Sequence, residues 1–203
     1  MTDLDPMWDL TPRLTLVALN TYIREVSWNC HIASGAVDDM VQAYGRHDLS
    51  SFFVGVQVLL TAGASISKLM WPTVPTKNPD AQAMRRKERG ERIRKELSIA
   101  DVSPLKNRAM RNAFEHIDER LDLMFDQIAT GRAGPLVTNV ALGQEQFLRA
   151  DNPQYIRVYI EDRDVINILG TQLVINQYRE AVDELRAQCD EWLAEHPSHT
   201  PVP

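Results

Sequence analysis

The stretch RNAFEH, residues 111 to 116, brings together three side chains that can act on a phosphate group. Arg111 can grip phosphate oxygens with its bidentate guanidinium fork. His116 can accept or donate a proton near neutral pH, and Asn112 can hydrogen-bond the imidazole ring or a substrate oxygen. In a helix, Asn112 and His116 would lie side by side because they are four residues apart. The pattern predicts a site of the RNA-cleaving kind, with Arg111, Asn112 and His116 as its catalytic residues.

A purely structural interpretation of the same residues is also open. His116 can be a histidine that hydrogen-bonds a neighbouring helix, and Arg111 can pair with Glu115 four residues later. The acidic neighbours Glu115, Asp118 and Glu119 compete for Arg111 and repel phosphate. The sequence leaves both interpretations standing.

The element that must position this site is a long amphipathic helix. Asp101 or Ser103, followed by Pro104, predicts its start, and Gly131 lies just beyond its predicted end at Ala129. At ~100° per residue, one apolar stripe predicts the core face: Met110, Phe114, Ile117, Leu121, Met124 and Ile128. A second, half-apolar face is predicted to meet another helix or a second copy of the chain: Leu105, Ala109, Asn112, His116 and Leu123. We therefore expect a homodimer formed through this second face.

The string Arg111-Asn112-Ala-Phe-Glu-His116 resembles the signature of HEPN-domain proteins, which is an arginine, a polar residue, a short spacer and a histidine on a helix of an all-α bundle. The resemblance covers the motif and the helical layout of about the first 130 residues. It implies a metal-independent endoribonuclease of the toxin or phage-defence type. His116 would act on the ribose 2′-hydroxyl or the leaving oxygen, Arg111 would hold the scissile phosphate, and Asn112 would support the geometry.

The same resemblance implies a dimer in which two motifs face each other, and a 2′,3′-cyclic phosphate product. Some proteins of this kind have lost catalysis and bind RNA, nucleotides or partner proteins. The alternative prediction is therefore a non-catalytic HEPN-like or other helical interaction protein, which dimerises or binds a partner protein or RNA.

A basic segment precedes the motif helix. Seven of the 22 lysines and arginines lie between residues 85 and 95. The interspersed Glu88, Glu91 and Glu96 favour a solvated helix with side-chain ion pairs. The alternative is a strip that binds the RNA backbone, with the following members: Arg85, Arg86, Lys87, Arg89, Arg92 and Arg108.

The first half of the chain predicts a helical pair. Thr11-Pro12 starts a helix that reaches about Tyr44. Asp48 or Ser50 caps a second helix that reaches about Met70, and its small residues allow a neighbouring helix to approach closely. The uncharged segment 51–67 lies at the lower edge of the length of a membrane-spanning helix, but its glycines and hydroxyl side chains favour a buried core helix.

The later sequence predicts short antiparallel strands and a final helix. The fold class predicted is mainly α, an up-and-down helical bundle with a small antiparallel β appendage before the C-terminal helix. Residues 1–203 form a single domain in this interpretation, divided into a helical bundle core (1–130), a β-rich appendage (131–170) and a C-terminal helix (171–196).

The composition excludes several classes of protein. With 203 residues and 44% hydrophobic content, the chain can bury one sizeable core. A net charge of -6 argues against a protein that coats nucleic acid non-specifically. Cys30 and Cys189 form no metal motif, and His31 beside Cys30 has no third ligand at metal spacing. We therefore predict a cytoplasmic protein without a secretory signal, metal or cofactor, which pairs with itself and with RNA or a cognate partner protein.

Overall fold

The computed structural model of the chain describes residues 12–100, 103–107, 112, 116–144 and 154–197. The fold is mainly α-helical, as predicted. The helices are α1 (Pro12–Gly45), α2 (Leu49–Met70), α3 (Ala81–Glu96), α4 (Ile117–Ala129) and α5 (Ile175–Glu195). The strands are β1 (Leu136–Val137), β2 (Val140–Leu142), β3 (Gln154–Tyr155), β4 (Arg157–Ile160), β5 (Val165–Ile168) and β6 (Thr171–Val174). Short 3-10 turns lie at Pro104–Lys106 and Glu161–Arg163.

The centre of the fold is the α1–α2 hairpin, with α5 packed against α1. Asp48 caps α2, because its carboxylate accepts the Ser51 N–H at 3.0 Å, as the sequence predicted. The small residues of α2 serve two neighbours. A Cβ at Gly55 would lie 3.2 Å from the Ala36 carbonyl of α1. A Cβ at Gly63 would overlap the Tyr178 hydroxyl of α5.

Helix α2 is long and apolar enough to cross a membrane by length and composition, but half of its apolar window is buried inside the fold. Its buried face includes Phe52, Val56, Leu59 and Ile66, which belong to the main hydrophobic core. This is the position of a core helix, as the sequence indicated.

The strands form a mixed arrangement. Strands β4 and β5 pair antiparallel, as predicted, and β6, which the sequence placed in the C-terminal helix, pairs antiparallel with β5. The structure adds parallel pairs that the sequence did not predict, because β2 pairs parallel to β4 and β1 pairs parallel to β3.

The sheet is also part of the core rather than a separate appendage. Ile166, Ile168 and Leu173 join the main hydrophobic cluster formed by α1, α2 and α5. The Tyr159 ring lies edge-on to Tyr44 of α1, with 5.3 Å between ring centroids. The four-stranded sheet therefore buries one face against the helices.

The last helix begins at Ile175, four residues later than predicted, because Thr171–Val174 pairs with β5 as a strand. Asp164 marks this boundary. Its carboxylate accepts the Asn176 N–H at 2.9 Å and the Tyr159 hydroxyl at 3.0 Å. One side chain thus ties the turn before β5 both to β4 and to the start of α5.

The predicted motif helix is interrupted in the structure. Pro104–Lys106 is a 3-10 turn that ends at the extended residue Asn107. Asn112 is helical again, and the non-helical cap His116 separates it from α4, which begins at Ile117. Leu105 is 2% exposed and lies in the main core, not on the outer face where the sequence placed it. The turn packs against α2 and α5. Burial of the Leu105 side chain there stabilises the fold more than continuing the helix through this residue would.

Candidate functional site

The motif lies at the start of α4. Asn112 is helical and exposed, and His116 is the exposed residue that precedes the first turn of α4. The His116 N–H donates to the Asn112 carbonyl at 3.1 Å. Two of the three predicted catalytic residues therefore lie one helical turn apart and face solvent. Arg111 lies outside the described residues.

The His116 ring has a carboxylate beside it. Its Nδ1 lies 3.4 Å from Glu119 Oε1, and the two side chains are 56% and 74% exposed. An exposed pair of this kind adds little stability. The contact occupies Nδ1, so Nε2 is the ring nitrogen without a carboxylate beside it among the described residues.

A groove of about 520 Å³ opens one turn further along α4, between this helix and the strands. Its lining residues are Arg120, Leu123, Met124, Gln127, Gln154, Tyr155, Asn167, Leu169 and Gly170. The Arg120 N–H donates to the His116 carbonyl at 3.2 Å, so the motif and the groove share the first turn of α4.

Arg120 fixes the relation between α4 and the sheet. Its Nη1 donates to the Leu169 carbonyl at 3.2 Å and to the Thr171 hydroxyl at 2.9 Å. Leu169 and Gly170 form the tight turn between β5 and β6, with φ of 47° and 83°. Positive φ at both positions is the geometry of a two-residue hairpin turn, and the Asn167 side chain supports it by accepting the Gly170 N–H at 2.9 Å.

The sequence did not predict Arg120 or the groove. Leu123 was the one residue of the sequence that indicated a contact here, because an apolar residue on the His116 side of the helix is typical of a face that meets another part of the protein. In the structure Leu123 remains 65% exposed at the edge of the groove. The residues opposite it come from β3 and the β5–β6 turn, which no local pattern connects to α4.

The predicted RNA-binding strip lies on α3, apart from Arg108, which is outside the described residues. Lys87 and Arg92 make i,i+4 ion pairs with Glu91 and Glu96, at 3.8 Å and 3.9 Å. These are the ion pairs that the solvated-helix interpretation expected. Arg85 is exposed and Arg86 is half-buried.

Arg89 has a structural contact network. It donates to the Lys68 carbonyl at 3.1 Å, and its guanidinium carbon lies 5.1 Å from the centre of the Tyr22 ring. Arg94, nearby on the same helix, donates to the Met70 carbonyl. These arginines fasten α3 to the end of α2 and to α1.

A second surface lies on the outer side of the α1–α2 hairpin. Trp28, Val54 and Val58 are 63%, 61% and 40% exposed. Val54 and Val58 line a shallow, mainly apolar groove together with Ile32, which follows Trp28 by one helical turn. We call this the outer apolar face.

Within the described ranges, no cluster of three His, Cys, Asp or Glu side chains is placed to hold a metal ion. Comparison of the chain with protein-family models, with curated proteins and with solved structures gave no match. The resemblance to HEPN domains therefore rests on residues 111–116 and on the helical layout.

Proposed function

We propose that this protein is a metal-independent endoribonuclease of the HEPN-like kind, with Arg111, Asn112 and His116 in its site. The observation that carries the proposal is the pairing of Asn112 and His116. The Asn112 and His116 side chains are both exposed and lie one turn apart, and the Glu119 carboxylate lies 3.4 Å from His116 Nδ1. Exposure admits a large substrate such as RNA, and Nε2 is the ring nitrogen that acts on it.

The chemistry follows from these roles. His116 Nε2 takes the proton from a ribose 2′-hydroxyl, and the 2′-oxygen attacks the adjacent phosphorus. The bond from phosphorus to the 5′-oxygen breaks, which gives a 2′,3′-cyclic phosphate and a 5′-oxygen that receives a proton. Arg111 holds the phosphate oxygens, and Glu119 lies beside the imidazole ring at Nδ1. In a homodimer with two motifs facing each other, the second His116 supplies the proton for the leaving 5′-oxygen.

Arg85, Arg86, Lys87 and Arg92 of α3, together with Arg108, are proposed to hold the RNA backbone, whereas Arg89 of the predicted strip is engaged by Lys68 and Tyr22. Contacts of this kind release counterions, so binding weakens as salt rises. Lys87 and Arg92 would exchange their glutamate partners for phosphate. We further propose that the enzyme acts in the cytoplasm, as a toxin or phage-defence protein, with a cognate partner protein as its regulator.

The test is incubation of purified protein with total RNA in EDTA, with wild type beside His116→Ala. His31→Ala is the matched control, because His31 is also an exposed helical histidine. Among the residues that the structure describes, the contact of the His116 side chain is an exposed ion pair, so its loss should cost under about 1 kcal/mol of stability. We expect cleavage by wild type and His31→Ala, and none by folded His116→Ala. Absence of cleavage by wild type, or equal cleavage by His116→Ala, contradicts the proposal.

The outer apolar face favours a second candidate function, that of a helical interaction protein. Exposed apolar residues grouped on one face of a helical pair are typical of protein contact surfaces. Trp28→Ser and Val54→Ser should then abolish self-association or partner binding in sedimentation experiments while the fold remains intact. A wild-type protein that is monomeric and binds no partner counts against this candidate.

A further inference from the structure

We propose that the groove between α4 and the strands binds one nucleobase of a single-stranded RNA, next to the scissile phosphate. The inference rests on the proposed ribonuclease function and gives that site its substrate class. It starts from position, because Arg120, which lines the groove, follows His116 by one turn of α4. One turn rises ~5.4 Å, which is within the length of a nucleotide.

The lining suits a base. Tyr155 packs against the small cluster formed by Val158, Ile160 and Val165, and it also lines the groove. An aromatic ring fixed in a strand is a stacking platform for a base, whatever its sequence. Leu123 and Met124 give the opposite wall its apolar surface.

The polar groups of the groove are mostly amides. Gln127 and Gln154 each offer one carbonyl acceptor and two N–H donors. Asn167 uses its Oδ1 to accept the Gly170 N–H, so its amino group is the part that can face a ligand. Amide side chains match the mixed donor and acceptor edges of bases.

Charge supports an RNA ligand. The chain has 28 acidic residues and a net charge of -6, yet the described lining of the groove holds Arg120 and no carboxylate. Both described side-chain hydrogen bonds of Arg120 are donated by Nη1, and Nη2 is the guanidinium nitrogen directed to a phosphate oxygen of the bound strand. Bases in a duplex cannot stack on a side chain in this way, so the groove selects single-stranded RNA.

The test measures binding apart from cleavage. In the His116→Ala background, a fluorescent single-stranded oligoribonucleotide of mixed sequence is titrated and its anisotropy followed. Tyr155→Leu should weaken binding roughly 5- to 100-fold, the effect of losing one stacked base. Tyr155→Phe keeps the ring and should bind like its parent. A duplex of the same sequence should bind more weakly.

The second arm uses the active protein and maps the bases beside its cleavage positions. Gln154→Ala should change the base preference there, whereas Gln172→Ala, an exposed glutamine on β6, should not. Melting temperatures verify that each variant is folded. RNA binding that depends on Tyr155 without cleavage by wild type would overturn the ribonuclease but keep the groove. Cleavage and binding unchanged in folded Tyr155→Leu and Gln154→Ala would overturn the groove and keep the ribonuclease.

Discussion

Gly90→Ala tests the packing of α3 against the end of α2. Gly90 is buried in the middle of α3, and a Cβ there would lie 2.6 Å from the Met70 carbonyl oxygen and 2.7 Å from Pro72 Cδ. Ordinary carbon contacts lie at about 3.5–4.0 Å, so the two segments must separate by about an ångström. Neither obstacle is the end of a flexible side chain, and the backbone itself has to move.

Three effects determine how much Gly90→Ala changes the free energy of unfolding. Alanine in a helix interior is favoured over glycine by about 1 kcal/mol, whereas overpacking a close contact costs about 1–3 kcal/mol. The movement also disturbs the hydrogen bond from Arg94 to the Met70 carbonyl, and a hydrogen bond contributes about 1 kcal/mol. The net destabilisation expected for Gly90→Ala is about 1–3 kcal/mol, which lowers Tm by several degrees in a chain of this length.

Gly35→Ala is the matched control. Gly35 lies within α1, and a Cβ there would meet nothing within 4 Å. The same substitution should therefore raise stability by up to about 1 kcal/mol. Thermal and urea unfolding of the two variants beside wild type measure both effects. If Gly90→Ala were stabilised as much as Gly35→Ala, the close approach of α3 to Met70 and Pro72 would be refuted.

Three further predictions concern the core, a cap and a side-chain bond. Burial raises the pKa of Cys30 to about 12 and that of Cys189 further. A thiol reagent at neutral pH should therefore modify both cysteines only after unfolding. Rapid reaction of the native protein would contradict their burial. Hydrogen bonds hold the pKa of Asp48 below 3.8, so its carboxylate stabilises the fold above that pH and loses this effect as pH falls through the lowered pKa. Asp48→Ala should therefore lower Tm at neutral pH and differ less from wild type in acid, whereas a difference independent of pH would exclude the carboxylate as the cause. Tyr159→Phe removes the 3.0 Å bond to Asp164 and should cost about 1.5–3 kcal/mol, seen as a lower urea midpoint with an unchanged m-value.

The helix layout of the first half of the chain followed from local signals. Asp48 and Ser50 were the two candidate caps of α2, and the structure places the Asp48 carboxylate on its first turn. Apolar residues at helical spacing predicted the core face of α1. Ile23, Val26 and Met40 on this spacing are buried, whereas Leu16 and Val41 are exposed. Caps and helical periodicity act between residues within a few positions of each other, so the sequence alone carries them.

The candidate site was predictable only in part. The motif placed Asn112 and His116 one turn apart, because that distance is set by four residues of backbone. The continuous helix through Leu105 was wrong, since Leu105 is drawn into the core by α2 and α5. The spacing of apolar residues along one helix does not predict contacts with helices that lie far away in sequence.

The sequence by itself determined the first three helices, a cap of α2 at Asp48 or Ser50, and the residues of the motif, because each of these depends on near neighbours along the chain. Only the tertiary structure decided that β2 runs parallel to β4, that Gly63 makes room for Tyr178, and that Arg120 joins α4 to the β5–β6 turn. Each of these contacts joins segments well separated in sequence. Such contacts form only when burial of the whole core brings the segments together, so the groove beside His116 exists only in the folded chain.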